Sequence, residues 1–343
     1  MNASVPNLMQ HATETIEVGS KSFAAAARLF PPSTRRSVLM LYAWCRHCDD
    51  AVDGQELGFA KHPVVRDANA ELERLYEETR RAYAGEPMRA PAFAAFQEVA
   101  LGHGLAPRYA FDHLAGFAMD VNEARYDTID DTLRYCYHVA GVVGLMMASI
   151  MGARDEAVLD RACDLGMAFQ LTNIARDIVD DAAIGRCYVP AQWLIDAGIP
   201  PDHVALPRHR EALARVAARL VDYAEPYYAS ASVGIAALPL RSAWAIATAR
   251  NVYRQIGIEV KRRGPRAWDA RVGTSKATKL RLLALGGLQA LASRFKRGRG
   301  GSDPAALTRT GAQAALEAQR RGLWPRPGRA GGAAPGAALA VDV

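Results

Sequence analysis

The sequence predicts an all-α, single-domain helical bundle, and three observations carry that prediction. Apolar residues recur at the helical period in most of the chain. Strand-like alternation flanked by turn dipeptides is nearly absent, and glycines and prolines cut the pattern into helix-sized pieces. Composition agrees: the 343 residues are 50% hydrophobic and 23% charged, as in an ordinary globular chain with ample core.

The elements follow in order. Gly19-Ser20-Lys21-Ser22-Phe23 sets two hydroxyls and an ammonium just before a helical pattern. That is the form of an anion cradle at a helix N-terminus, although serine N-caps are common. Pro31-Pro32 breaks the chain, and the next helix carries the stripe Val38, Tyr42, Cys45, Asp49 and Asp53 before Gly54. Val65–Tyr83 is rich in Ala, Leu, Glu and Arg, which are good helix formers, and Gly85-Glu86-Pro87 ends it. Val139–Met151 is nearly apolar but spans only 13 residues, short of the ~20 that a bilayer requires. With Gly141, Gly144 and Ser149 inside it, a tightly packed buried helix is expected. A further helix carries Gly166, Gln170, Asn173, Asp177 and Asp181, with Gly185 close behind. Pro200-Pro201 and Pro207 mark loops, the stretches Glu211–Tyr228 and Leu240–Val260 read as helices, and Gly264-Pro265 breaks again.

The body is expected to span residues 1–293. Residues 294–343 carry nine Lys/Arg and three Asp/Glu, so the whole formal charge of +6 lies there and the body is neutral. This Gly/Pro/Ala-rich tail buries too little apolar surface to order itself. It is either plain solvated chain or a weak attraction to an anionic membrane. A neutral body argues against a nucleic-acid partner. The N-terminus carries Glu14 and Glu17 and lacks an apolar core segment, so no signal peptide is expected. The five cysteines, odd in number, fit reduced thiols in the cytoplasm. Cys45 and Cys48 form a C-x-x-C with no second pair, which favours core packing over zinc or redox chemistry. There is no G-x-G-x-x-G, no Walker A sequence and no H-x-x-x-H pair.

The informative residues are two acidic clusters built alike. Asp49 with Asp53, and Asp177 with Asp181, are i,i+4 pairs, so each pair shares one helix face. In both helices an apolar stripe turns acidic at its C-terminal end. Like charges four residues apart repel, and carboxylates at a helix C-terminus oppose its dipole. Something cationic should compensate, the alternative being a solvated acidic face paired with arginine. Arg46 and Arg176 supply part of it, and a hard divalent ion such as Mg²⁺, which takes its other ligands from water and phosphate, fits the rest. Arg186 directly follows the second cluster and would lie near a phosphate held there.

These residues resemble the squalene/phytoene synthase family over nearly the whole of residues 10–290. The resemblance rests on Ser-Lys-Ser-Phe (20–23), Tyr-Ala-Trp-Cys-Arg-His-Cys-Asp-Asp (42–50), Tyr-Cys-Tyr-His-Val-Ala-Gly-Val-Val-Gly (135–144) and Ala-Phe-Gln-Leu-Thr-Asn-Ile-Ala-Arg-Asp-Ile-Val-Asp-Asp (168–181). These runs are especially similar to the bacterial phytoene-forming members. The resemblance implies the all-α isoprenoid-synthase bundle with a central cavity. It implies Mg²⁺ or Mn²⁺ on Asp49, Asp53, Asp177 and Asp181, with Asn173 alongside, and allows a requirement for ATP that is not hydrolysed. Ser20, Lys21, Ser22, Arg46, Arg176, Arg186, Tyr253 and Arg271 would meet diphosphate, and Tyr42, Gln170 and Asn173 would line the polar end. Tyr135 would sit near the reacting carbons, and Val139, Ala140, Val143 and Gly144 along the prenyl tunnel.

The implied reaction is head-to-head condensation of two geranylgeranyl diphosphates to phytoene, the step that commits them to carotenoids, without NADPH. Implied partners are the C20 diphosphate, a membrane surface and a phytoene desaturase that takes the product. Three rivals stand beside it. A squalene synthase would reduce its intermediate with NADPH, a dehydrosqualene synthase would use farnesyl diphosphate, and an inactive helical module would do neither. Residue arithmetic alone leaves tunnel depth, and hence C15 against C20, open.

Overall fold

The apolar stripes turn inward around a cavity, and most of the predicted breakers among the described residues fall between helices. The computed structural model describes residues 8–296 except 20, 54, 57–58 and 61–66; for Lys21, Ser22, residues 55–56 and 59–60, and Lys296 it describes backbone alone. Ser20, Gly54, the side chains of Lys21 and Ser22, and the tail beyond Lys296 therefore lie outside the described residues.

Helices α1 (Leu8–Gly19) and α2 (Lys21–Ala27) lead into α3 (Pro32–Asp53). Pro32 opens α3 rather than sitting in a loop, because the first turn has no use for its missing N–H. Val38, Leu39, Met40, Leu41 and Trp44 are all buried, and Trp44 stacks on Phe96 at 4.1 Å. Residues 55–56 pair antiparallel with residues 59–60, a contact too short to change the class.

Local chemistry sets the next helix ends. The carboxylate of Asp67 accepts from the N–H groups of Asn69 and Ala70 and so caps α4 (Ala68–Tyr83). Helix α5 (Pro91–His103) ends at Gly104, whose φ of 61° suits glycine. Helix α6 (Pro107–Val121) also opens on proline. Thr128 and Asp131 form a capping box at the start of α7 (Ile129–Cys136).

Helix α7 continues through a π turn, Tyr137–Gly141, into α8 (Val142–Ile150). Residues Ile129–Ile150 are thus one rod, long and apolar enough by composition to cross a membrane. The most apolar window is 61% buried within the protein, so the rod is a core helix. The shorter apolar run in the sequence missed its length but not its burial. His138 Nδ1 donates to the Asp112 carbonyl at 2.8 Å, and His113 Nδ1 to the His138 carbonyl at 3.2 Å. The extra residue in the π turn lets Val139, Ala140, Val143 and Gly144 all reach one wall.

Helix α9 (Glu156–Ala183) is the axis. After α10 (Ala191–Asp196), helices α11 (Arg210–Gly234) and α12 (Leu240–Arg263) pack on it, and α13 (Lys276–Lys296) packs on α12. Two glycines let α8 and α9 touch backbone to backbone. A Cβ on Gly144 would lie 2.2 Å from the Ala162 carbonyl oxygen, and one on Gly166 would lie 2.2 Å from that of Ala140. A backbone carbonyl cannot swing aside as a side chain can. Gly166→Ala is expected to cost about 1–3 kcal/mol by overpacking, read as a lowered thermal midpoint; an unchanged midpoint would mean the helices part freely.

Candidate active site

The helices enclose a cavity of about 820 Å³. Its walls are apolar: Val139, Ala140, Val143, Gly144, Met147 and Met151 on one side, Phe169 on α9, and Ile246, Ala249 and Ile256 on α12. One end is polar, where Tyr42, Arg46, Gln170, Asn173, Arg176, Tyr253 and Arg271 line it. These come from four separated stretches of sequence. The tunnel residues and the polar residues predicted above therefore meet in one space. Tyr253 is held by stacking on Phe169 at 4.1 Å.

The two carboxylate pairs sit on α3 and α9, each matched by guanidinium. Arg46 reaches Asp49 at 3.1 Å and Asp50 at 2.8 Å. Arg176 Nε donates to Asp177 at 2.7 Å, and Arg271 lies 3.6 Å from the same carboxylate. Arg186, in the turn after α9, crosses to Asp53 with contacts of 3.2 and 2.5 Å. It is the direct link between the two acidic helices.

The electrostatics agree with two strained pairs. Burial, then the neighbouring Asp53, pushes Asp49 up to about 7. Burial, then Asp177, pushes Asp181 up to about 7, against the pull of Arg186. Among the described residues no three His, Cys, Asp or Glu side chains are already gathered around one point. The donors are still suited to a hard divalent cation. Paired carboxylates raised by burial and by each other are oxygen ligands that a divalent ion would stabilise in the charged form. Asn173 Oδ1 beside them is buried with no hydrogen-bond partner.

Tyr135 is absent from the cavity wall. Its hydroxyl donates to Asp120 at 3.1 Å, Tyr188 donates to the other oxygen of Asp120 at 3.0 Å, and the two rings stack at 4.4 Å. Asp120 is pushed up to about 6 by burial, opposed by Arg186 and the two hydroxyls. Tyr135 thus belongs to a buried cluster that reaches Asp53 through Arg186.

Sequence reasoning missed Asp120, which has no acidic partner four residues away on either side and shows its role only in three dimensions. It also missed His113, a buried residue on the cavity wall that packs edge-on against Phe117 at 4.9 Å. Burial holds its imidazole down to about 4, so it stays neutral. Nothing in its apolar helix face marks it out. All five cysteines are free, as their odd number suggested.

The family model described as squalene/phytoene synthase matches residues 16–280. The chain is 64% identical over 292 residues to a 15-cis-phytoene synthase of Pantoea ananas, covering 85% of this chain and 94% of that protein. It is 49% identical over 321 residues to a 15-cis-phytoene synthase of Paracoccus sp. (strain N81106 / MBIC 01143), covering 94% and 98%. Among solved structures it resembles a dehydrosqualene synthase with TM-score 0.74 and 26% identity, covering 83% of this chain and 97% of that one. It also resembles the squalene synthase HpnC from Alicyclobacillus acidocaldarius, with TM-score 0.65 and 26% identity, covering 75% and 95%.

Proposed function

The chain belongs to the squalene/phytoene synthase family, and from that premise we infer that it condenses two geranylgeranyl diphosphates head to head into phytoene. It is a prenyltransferase of carotenoid biosynthesis. The relatives at 49–64% identity are named for phytoene, whereas the C15-type structures stand at 26%. The observation that carries the mechanism is one cavity with an apolar body and a polar end lined by Arg46, Arg176 and Arg271, each of which is paired to Asp49 or Asp177.

The mouth binds the diphosphates. Arg46, Arg176 and Arg271 offer charge-assisted hydrogen bonds whose strength grows as negative charge builds on the leaving group. Asp49, Asp53, Asp177 and Asp181, with Asn173, would hold the divalent ion, which we assign as Mg²⁺ or Mn²⁺. When bound it neutralises diphosphate and makes it a better leaving group. Ser20, Lys21 and Ser22 would add donors by the family resemblance, and Arg186 keeps Asp53 in place. Tyr42, Gln170 and Tyr253 orient the polar end of the chain.

The body of the cavity holds the prenyl chains. Val139, Ala140, Val143 and Gly144 exclude water, which would otherwise quench an allylic cation. The cation is attacked by the double bond of the second chain. Proton loss gives prephytoene diphosphate, and a second ionisation, rearrangement and proton loss give phytoene. Tyr135, tied to Asp120, acts from behind the carboxylates rather than at the reacting carbons. The expected boundary at residue 293 falls inside α13, so the body runs through Lys296 before the tail, and it works in the cytoplasm beside the membrane where a desaturase takes up the product.

The test is incubation with Mg²⁺ and either the C20 or the C15 diphosphate, without NADPH, followed by lipid extraction. A C40 conjugated triene from the C20 substrate is expected. A C30 product in preference, or dependence on NADPH, would overturn the assignment.

A further inference from the structure

Helix α13 presents an apolar face that no described residue covers. Leu280, Leu285, Leu288, Leu291 and Phe295 recur at helical spacing along it, with Leu280 69% and Phe295 84% exposed. The helix is not loosely laid down. On its other face, Trp244 Nε1 donates to the Leu283 carbonyl at 2.9 Å, and Asn251 donates to Gln289 at 2.9 Å. Gly286 sits so close to α12 that a Cβ would meet the Thr248 backbone nitrogen at 2.9 Å. Arg294 donates to the Ala236 carbonyl at 3.0 Å. The apolar stripe is therefore held outward over its full length.

The surrounding charge points to what it meets. Residues 276–296 contain five Lys/Arg and no Asp/Glu, with Lys276, Lys279 and Arg281 near one end and Lys296 near the other beside the inward-turned Arg294, while residues 1–293 balance to zero. A long apolar stripe with cations at both ends matches an anionic bilayer surface, which takes the leucines among its acyl chains and the cations among its headgroups. A protein groove would have to be both apolar and acidic.

We propose that the outer face of α13 docks the protein on an anionic phospholipid surface. The cavity lies beside it. Gly273, Thr274 and Lys279 at one end of α13 line the cavity, as do Ile235 and Leu238, next to the carbonyls that Arg294 clasps. An apolar product leaving there enters hydrocarbon rather than water. The docking surface stands independently of the catalytic assignment, because its test uses no substrate.

The test is flotation of the full chain with vesicles of phosphatidylcholine, with and without phosphatidylglycerol, at low salt. Flotation with the anionic vesicles is expected. The triple variant Leu288→Ser, Leu291→Ser, Phe295→Ser should lose at least about tenfold in partitioning, with an unchanged far-ultraviolet spectrum and unchanged turnover in detergent. A chain ending at Lys296 should keep binding, or bind better if the tail normally lies over the stripe. Three outcomes overturn the proposal: a triple variant that floats like the parent, a truncated chain that loses all binding, or sedimentation showing a dimer that the triple variant dissociates.

Discussion

Asp177→Asn is expected to lower turnover by about a thousandfold or more while leaving the protein folded. Asp177 is the carboxylate on which two guanidiniums converge, Arg176 at 2.7 Å and Arg271 at 3.6 Å, and it faces Asp181 one turn on. The amide keeps the shape and loses the charge, so a divalent ion loses one of its few anionic ligands. Several kcal/mol of leaving-group stabilisation vanish with it, and each ~1.4 kcal/mol is tenfold in rate. Folding responds differently. Repulsion from Asp181 is relieved while Arg176 loses its partner, and the two changes oppose each other. Melting in EDTA, alongside turnover at limiting Mg²⁺, separates the effects. Wild-type turnover in the variant would remove Asp177 from the metal site.

Arg186→Gln is expected to damage both stability and activity. One side chain here serves three carboxylates: it bonds Asp53 directly, and its charge pulls down on Asp120 and Asp181. Removing it leaves a buried acid among tyrosines and frees Asp53 from α9. Stranding a largely buried charge costs about 3 kcal/mol, read as a lower urea midpoint. Turnover should fall about a hundredfold as the two acidic helices lose their bridge. Arg186→Lys should recover much of the stability but less of the rate, because an ammonium lacks the fork that holds Asp53 at two oxygens. Equal rates for the Lys variant and the parent would show that charge alone matters.

Much of this was legible in the chain. The i,i+4 aspartates, their shared stripes and the glycine–proline breaks place α3 and α9 and their acidic ends, because helical periodicity is a local property. Asp120 was not legible. Its partners Tyr135, Tyr188 and Arg186 lie 15, 68 and 66 residues away, and only packing joins them. The π turn was hidden for a similar reason: its hydrogen bonds depend on α6 lying alongside. Pro32 misled because proline ends helices and begins them equally well. The charged tail drew attention to the C-terminus, yet the feature that stands out within the described residues is the stripe of leucines just before it.

The contact of α8 with α9 at Gly144 and Gly166 sets a constraint on how this scaffold diversifies. Where main chain rests on main chain, there is no side chain to trim or enlarge, so the calibre of the tunnel at that crossing is fixed by the fold. A lineage that shifted to shorter or longer chains would have to make its changes farther along, at Met147, Met151, Phe30 or Leu238, where side chains form the wall. Selection for new chain length should therefore return substitutions clustered at those positions and leave both glycines untouched.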